Sequence, residues 1–451
     1  MTGGPDDLAA LTAQVAARAR EGEQVEAYAS RGSDTEVVVY GGEIESLSSA
    51  TSEGVGIRVV AGRRQGFAYA GSLADDVVDQ TLAEARDNAA FGTPDEHLGL
   101  PRPDGVAAAD LDLWREDLAR FPAERKVELA LDLERRVKAG DPRIRAVESA
   151  EYGDGTTEVA VSTNTGISVA HRRSSCYVSV YALAGDGGET QTGAGYSVGR
   201  SPEDLDVDRA AADAIERATR LLGARKPPSA RLPVVLDNRI TTTLLRVLAG
   251  TLSGEAVLKG RSLFANRVGE QVGVGGLTLV DDPTDPAAYG AAAYDGEGLA
   301  CRRNVLVDEG VLQGFLYDTY AGRRAGVAST GSAVRGGFKT APGVGSRALS
   351  LKPGTRTQEE VLAEVGEGLF VQSVSGVHSG VNPVSGDFSV GAEGLMIRGG
   401  ALAEPVRELT IASTVQRMLL DAVAVGNDLE WLPGGAAGVT LAIAAMSMSG
   451  A

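Results

Sequence analysis

The sequence predicts an α+β protein of two domains. Three observations point there. Short β-branched runs alternate apolar and polar residues with period two, turns containing glycine separate them, and one pattern in the first half occurs twice. Thr35-Glu36-Val37-Val38-Val39 is echoed by Thr157-Glu158-Val159-Ala160-Val161. The strand around Val55-Gly56-Ile57-Arg58-Val59 has a counterpart in Tyr177-Val178-Ser179-Val180-Tyr181. Hairpins, rather than parallel crossovers, fit turns as short as Tyr40-Gly41-Gly42-Glu43 and Thr163-Asn164-Thr165-Gly166.

Helical spacing brackets each copy. Leu8, Leu11, Val15 and Ala16 place a helix over 6–20, and Val127, Leu129, Leu131 and Val137 place one over 122–138. Helices over 73–90 and 202–222 close the two copies. Each unit then reads helix, antiparallel strands, helix, with the helices laid on one face of a sheet. The expected N-terminal domain is 1–228, made of two similar units at about 1–110 and 120–225, with the Gly-, Pro- and Asp-rich stretch 91–110 as a surface connection.

Arg225-Lys226-Pro227-Pro228-Ser229-Ala230 marks the boundary to a second domain, 229–451, expected to be mainly antiparallel β with a few helices. It opens with a strand at Leu232-Pro233-Val234-Val235-Leu236, followed by a helix over 240–259. Strands at Leu277-Thr278-Leu279-Val280 and Val305-Leu306-Val307 alternate with turns such as Asp308-Glu309-Gly310. Further helices are expected over 316–324, 358–365 and 413–425, and a buried C-terminal strand over 436–448.

Composition narrows the function classes. The 61 acidic and 43 basic residues give a formal net charge of −18, which repels phosphate backbones and argues against nucleic acid as a partner. No apolar run reaches the roughly 18 residues that a membrane helix needs. Met1-Thr2-Gly3-Gly4-Pro5-Asp6-Asp7 has neither the basic nor the apolar region of a signal peptide, and the two cysteines form no CxxC pair. A cytoplasmic protein without a membrane partner is expected. The three histidines, His97, His171 and His378, are too dispersed to form a metal cluster by spacing.

Four segments of the second half share an order and spacing with a known family. They are Tyr294-Asp295-Gly296-Glu297-Gly298 with Arg302-Arg303; the stretch from Tyr317 to Arg324 running into Ser329-Thr330-Gly331; Gly380-Val381-Asn382-Pro383-Val384-Ser385-Gly386-Asp387-Phe388-Ser389; and Val425-Gly426-Asn427-Asp428-Leu429-Glu430. On these the chain resembles the PmbA/TldD proteins, also called modulators of DNA gyrase. The resemblance implies a two-domain protein that dimerises around an enclosed cleft. In the TldD half a helix carries a His-Glu-x-x-x-His zinc motif, completed by a cysteine nearer the C-terminus, and acts as a peptidase. The TldE/PmbA half is similar in fold and lacks the motif.

The matching stretch here is Gly254-Glu255-Ala256-Val257-Leu258-Lys259. Gly254 stands where the first histidine belongs and Lys259 where the second does, while Leu432-Pro433-Gly434-Gly435-Ala436 contains no cysteine. A catalytic zinc takes about three protein ligands plus an open position. No metal ligands are therefore expected in this chain, and zinc is expected only in a TldD-type partner. Glu255 reads either as a retained general base or as a helix residue paired with Lys259. His378 reads either as a cleft acid or base or as a surface histidine. Asn382, Ser385, Asp387 and Phe388 are candidate substrate-binding residues on an edge strand that takes a peptide by strand addition; turn chemistry explains the polar three equally well. Cys301 is either a nucleophile or an inert buried thiol.

Three functional expectations follow. The first is a TldE/PmbA-like, non-zinc subunit of a cytoplasmic TldD/TldE-type metallopeptidase acting on peptides. The second is a homo-oligomeric, metal-independent hydrolase of an amide or peptide-like conjugate, using Glu255, Lys259 or His378. The third is a non-enzymatic peptide-binding protein. The partner is accordingly a TldD-type chain in a heterodimer or a second copy in a homodimer.

Overall fold

In a computed structural model, residues 5–186 and 188–451 are described, so the signal-peptide reading at residues 1–4 lies outside them. The first half runs α1 (Pro5–Ala16), β1 (Glu23–Tyr40), β2 (Glu43–Ala61), β3 (Arg64–Ala70), α2 (Asp75–Phe91), α3 (Glu116–Ala119), α4 (Ala123–Gly140), β4 (Ile144–Thr163), β5 (Ser168–Asp186), β6 (Glu189–Gly199) and α5 (Val207–Thr219). The second runs β7 (Ala230–Leu236), α6 (Asn238–Thr251), α7 (Gly254–Leu258), β8 (Leu279–Asp281), β9 (Asn304–Asp308), β10 (Val311–Leu312), α8 (Thr319–Ala325), β11 (Ala333–Val334), β12 (Gly343–Val344), β13 (Leu349–Leu351) and α9 (Gln358–Val365). It ends with β14 (Gly368–Ser375), α10 (Val377–Gly380), β15 (Asp387–Arg398), β16 (Ala401–Thr414), α11 (Val415–Leu420), β17 (Ala422–Val425), β18 (Glu430–Trp431), β19 (Ala436–Gly438) and β20 (Leu441–Ser449). The protein is α+β, and none of its described helices is long and apolar enough to cross a membrane.

The first six strands form one antiparallel sheet in the order β3-β2-β1-β4-β5-β6. It consists of two meanders joined edge to edge where β1 pairs with β4. Ser33 lies opposite Thr156 and Asp34 opposite Gly155. If Thr35 is matched to Thr157, the register is symmetric about a point between these two pairs. The odd-numbered residues of β1, Val25, Ala27, Ala29, Val37 and Val39, are buried beneath the helices of this half. Even-numbered Glu26, Tyr28 and Ser30 face the second half.

In the second half, β16-β15-β14-β7-β20-β17 make one sheet, and an additional β16–β20 pairing closes five of these strands into a barrel. The order β10-β9-β8-β13-β19-β18 makes another. The largest core cluster lies between them, with Leu244, Leu245 and Leu248 of α6 at its centre. The second half is mainly antiparallel, as expected; β7 with β14 and β13 with β19 are parallel.

Three expected elements also change. The helix over 240–259 breaks at Leu252 and Ser253. There Gly254 N–H donates to Leu316 O across a bridge between Ser253 and Leu316, replacing an intrahelical bond. The helix over 413–425 stops at Leu420. Beyond it the alternating Ala422-Val423-Ala424-Val425 joins β20, because a half-buried pleated surface suits β-branched residues. The strand over 436–448 divides at Val439 and Thr440, where the chain leaves one sheet for the other. Thr440 is held there by Asp428, which accepts from its N–H at 2.8 Å and its hydroxyl at 2.7 Å.

A buried charge network joins the halves. Glu26, with a side chain 0% exposed, accepts from Arg58 Nη2 at 2.6 Å and from Arg335 Nη2. Arg58 also donates to Glu297 at 3.2 Å, and Glu297 accepts from Thr319 N–H at the start of α8. Asp295 accepts three backbone N–H bonds, from Glu297, Leu299 and Ala333. Burial opposes the charge on Glu26, yet Arg335 and Arg58 hold its carboxyl below the usual range. Gly54 and Gly56 of β2 make the docking possible. A Cβ on Gly56 would lie 2.2 Å from Phe338 O, and one on Gly54 would lie 2.5 Å from the Phe338 ring.

These contacts generate three predictions. Gly56→Val is expected to destabilise the fold by about 2 kcal/mol or more, read by urea unfolding. Unchanged stability would mean that the loop carrying Phe338 does not dock there. Glu26→Ala leaves two guanidinium groups buried beside an empty site and is expected to cost about 3–5 kcal/mol. The third concerns Asp281, whose Oδ1 accepts from Arg347 and Ala348 N–H and whose Oδ2 is unpaired. Burial pushes its carboxyl up from 3.8 to about 6. The folded protein thus keeps a proton that the unfolded chain releases over that window. Asp281 should therefore contribute stability at low pH that disappears as pH rises through about 6. An Asp281→Asn variant should lack this loss, gaining on the wild type by on the order of 2 kcal/mol above the window in pH-resolved melts.

Candidate functional site

The helix pair α6–α7 is fixed from both ends. Asp237 caps α6 by accepting from Arg239 N–H at 3.0 Å, and Arg217 clamps the same carboxylate at 2.8 Å and 3.0 Å. At the other end Gly254 lies against Tyr317. An ideal Cβ there would sit 2.2 Å from two Tyr317 ring carbons and 2.9 Å from Leu316 O. No imidazole fits unless Tyr317 moves. Lys259 follows α7 and donates to Glu255 at 2.5 Å, with both side chains about half exposed. The segment from Leu432 to Ala436 presents no ligating side chain; its Pro433 O accepts from Arg246 of α6 at 3.2 Å. These residues do not fit a zinc ion. Among the described residues, no group of three or more His, Cys, Asp or Glu side chains is placed to hold a metal.

Asn382, Ser385 and Asp387 come together in one exposed turn. Asn382 Oδ1 accepts from Val384 and Ser385 N–H at 2.9 Å and 3.2 Å, and Ser385 Oγ donates to Asp387 at 2.6 Å. Their polar atoms are thus occupied by turn chemistry. Two parts of the edge-strand reading are corrected. Phe388 is 2% exposed and belongs to the second-half core, because the pleat of β15 points it inward beside Val390. The strand itself is interior from Gly391 onward, with β14 on one side and β16 on the other, while residues 387–390 pair with β16 and are covered on the other side by the bridge from Val381 to Phe388. His378 is exposed on α10. Among the described residues no hydrogen bond or ion pair links it to Glu255 or Lys259, so the three candidate catalytic side chains do not form one constellation. Burial pushes the Cys301 thiol up to about 12, which leaves it an inert thiol at neutral pH.

The structure does contain a cleft of about 450 Å³ between the halves. Its first-half wall is formed by Tyr181 of β5 and Tyr196 of β6, whose hydroxyls are 2.6 Å apart. Opposite stand Arg239 and Arg246 of α6, Gln372 of β14, Glu393 of β15 and Pro433. Arg239 lies 5.3 Å over the Tyr196 ring and pairs with Asp213 at 2.8 Å. Burial, then the hydrogen bond shared with the Tyr181 hydroxyl, raises the Tyr196 hydroxyl above its ordinary range and removes it as an acid or base at neutral pH. Aromatic faces, backbone carbonyls and paired charges suit the binding of an extended polar chain, and no nucleophile with an adjacent base lies among the lining residues. Sequence reading missed this cleft. Its lining comes from separate elements far apart in the chain, and each residue by itself looks like an ordinary surface residue.

Comparison with known proteins gives the same architecture a lineage. Three family models match in tandem: PmbA/TldA metallopeptidase domain 1 over residues 25–89, the central domain over 116–222 and the C-terminal domain over 229–450. The chain is 28% identical over 397 residues to the metalloprotease PmbA of Escherichia coli, covering 86% of this chain and 84% of that protein. It is 29% identical to a metalloprotease TldD homolog of Haemophilus influenzae, covering 84% and 80%. The crystal structure of TldE from Thermococcus kodakarensis matches with a TM-score of 0.89 at 23% identity, over 95% of this chain and 97% of that one. A protein of Thermotoga maritima, described as a candidate modulator of a DNA gyrase, matches with a TM-score of 0.89 at 24% identity, over 98% and 99%. With family models matched along most of its length, the chain belongs to the PmbA/TldD metallopeptidase family.

Proposed function

We propose that this chain is the zinc-free, TldE/PmbA-like subunit of a cytoplasmic peptidase complex. A TldD-type partner supplies the zinc and the hydrolytic chemistry, and this chain supplies part of the peptide-binding cleft. One observation carries the reading: the position of the first ligand is a glycine whose missing side-chain volume is filled by the Tyr317 ring. The ion pair of Lys259 with Glu255 supports it, since a protonated lysine repels a divalent cation. The cleft lined by Tyr181, Tyr196 and Arg239 supports the binding role. A homodimeric, metal-independent hydrolase finds less support, because Glu255, Lys259 and His378 are not assembled with one another.

Zinc measured by mass spectrometry should be absent from the purified chain. It should appear, together with peptidase activity, when the chain is co-purified with a TldD-type protein from the same source. Stoichiometric zinc in the lone chain, or failure to form the complex, would sink the proposal. Restoring both histidines tests the local geometry. Gly254→His with Lys259→His should bind no zinc and lose about 1–3 kcal/mol of stability through overpacking against Tyr317. Adding Tyr317→Ala should relieve that loss.

A further inference from the structure

A second, more enclosed pocket of about 370 Å³ lies under the roof that joins the halves. Its floor is the face of the first sheet opposite the helices. The strand register sets Ser30, Val159 and His171 in one row across β1, β4 and β5, and Gly32, Thr157 and Arg173 in the next. Small side chains in both rows leave a hollow. The roof comes from Ala291, Ala292, Asp295, Arg335 and Arg347.

The charges in this hollow are unbalanced. Arg173 makes no hydrogen bond or ion pair among the described residues. Arg347 spends its side chain on one bond of 3.4 Å to Ala333 O, and its buried Nε has no partner. The Arg335 side chain is 1% exposed and is held by Glu26 and by Gly296 O at 2.6 Å, yet its Nη1 is also unpartnered. The buried His171 Nδ1 is free as well. Among the described residues the nearby carboxylates form no ion pair with Arg173 or Arg347, and Asp281 Oδ2 has no hydrogen-bond partner. Asp295 accepts from three backbone N–H groups, Asp281 accepts from Arg347 and Ala348 N–H, and Glu26 lies between Arg58 and Arg335. Burial, and then the charge of Arg347, depresses the ionisation of Arg173, and burial and the two arginines hold His171 down at about 4. A protein of net charge −18 has thus gathered unpaired guanidinium groups in a half-closed space. Buried cations without partners are costly and persist where something else supplies the counter-charge.

We infer that this pocket is a carboxylate-binding site, in which Arg173 and Arg347, assisted by the free Nη1 of Arg335, receive the carboxylate of a short peptide. A planar carboxylate matches the guanidinium fork and carries a single negative charge, whereas a phosphate dianion would meet the Asp295 wall with more repulsion. Leu113, Val159, Ala291 and Ala292 give the rest of the ligand an apolar lining. The peptide character of the ligand rests on the function proposed above; the anion site rests on the pocket alone.

The test is calorimetric titration and thermal melting of the full chain with N-acetyl-Ala-Ala as the free acid, the same dipeptide as its amide, and inorganic phosphate. The free acid should bind saturably and raise the melting temperature, and the amide and phosphate should bind more weakly or not at all. Arg173→Met should raise the melting temperature of the unliganded protein, because an unpaired charge is removed, while weakening binding of the free acid by about tenfold or more. Arg172→Met, a change at the exposed neighbour whose guanidinium stacks on Trp114, should bind like the wild type. Equal binding of acid and amide, tighter binding of phosphate, unchanged binding by Arg173→Met, or a lowered melting temperature in that variant would each overturn the assignment. Zinc content and complex formation with a TldD-type partner are unaffected by these outcomes, so failure of one proposal is distinguishable from failure of the other.

Discussion

The carboxylate of Glu26, sealed between Arg58 and Arg335, is the contact on which the arrangement of the two halves depends. It sits on the non-helical face of the first sheet, where a charge would ordinarily be solvated, and it is fully covered because the second half docks there. Each partner leads onward. Arg335 holds the Gly296 carbonyl, Arg58 reaches Glu297, and Glu297 receives the first N–H of α8. The Tyr294 to Gly298 segment is therefore a keystone between sheet and roof. Ion pairs of this kind add little net stability over an apolar contact, but they tolerate only one arrangement of their partners. That constraint sets the spacing between sheet and roof and hence the size of the spaces between them.

A six-stranded sheet covered by helices on one face has a second face to dispose of. Here part of that face is closed by Phe338 and Leu299 over Tyr28, Val161 and Ile167, part forms the hollow floored by Ser30 and Thr157, and part lines the wider cleft at Tyr181 and Tyr196. The division follows side-chain size along the strands. Gly54 and Gly56 admit the Phe338 loop, and Gly153 admits the Tyr177 ring, which lies 2.3 Å from where a Cβ would sit. A single surface thus serves as interface, pocket and cleft.

The surroundings of Gly254 are fully packed. Gly254 still begins a short helix, and its N–H still bonds to Leu316 O. The space that a ligand would need is taken by an aromatic ring, and the polar groups that remain, Glu255 and Lys259, satisfy one another at the surface. The packing around the position is complete, so nothing in the local energetics favours a metal.

Much of the fold was legible in the sequence. Period-two alternation marked β1, β2, β4 and β5, helical spacing marked α1, α2, α4 and α5, and the echo of Thr35 to Val39 at Thr157 to Val161 marked the two meanders, because these signals are local and are carried by the burial of one face. That Gly254 and Lys259 stand where the resemblance puts histidines was legible too, because it is read side chain by side chain. Where elements end was less so. The break after α6, the stop of α11 and the split between β19 and β20 are each decided by a distant partner, namely Leu316, β20 and Asp428. Candidate site residues fared least well. Phe388 was drawn from the same motif as Asn382 and Asp387, yet pleat geometry sends it into the core while the other two remain in a surface turn. The cleft and the arginine pocket left no signal in the linear order, because Arg173, Arg335 and Arg347 become neighbours only when the sheet and the roof close on each other. The sequence by itself determined most of the elements and the family, through local pattern and side-chain chemistry; only the tertiary structure decided which charges lie in the pocket without partners, because burial and pairing are properties of surfaces brought together across the chain.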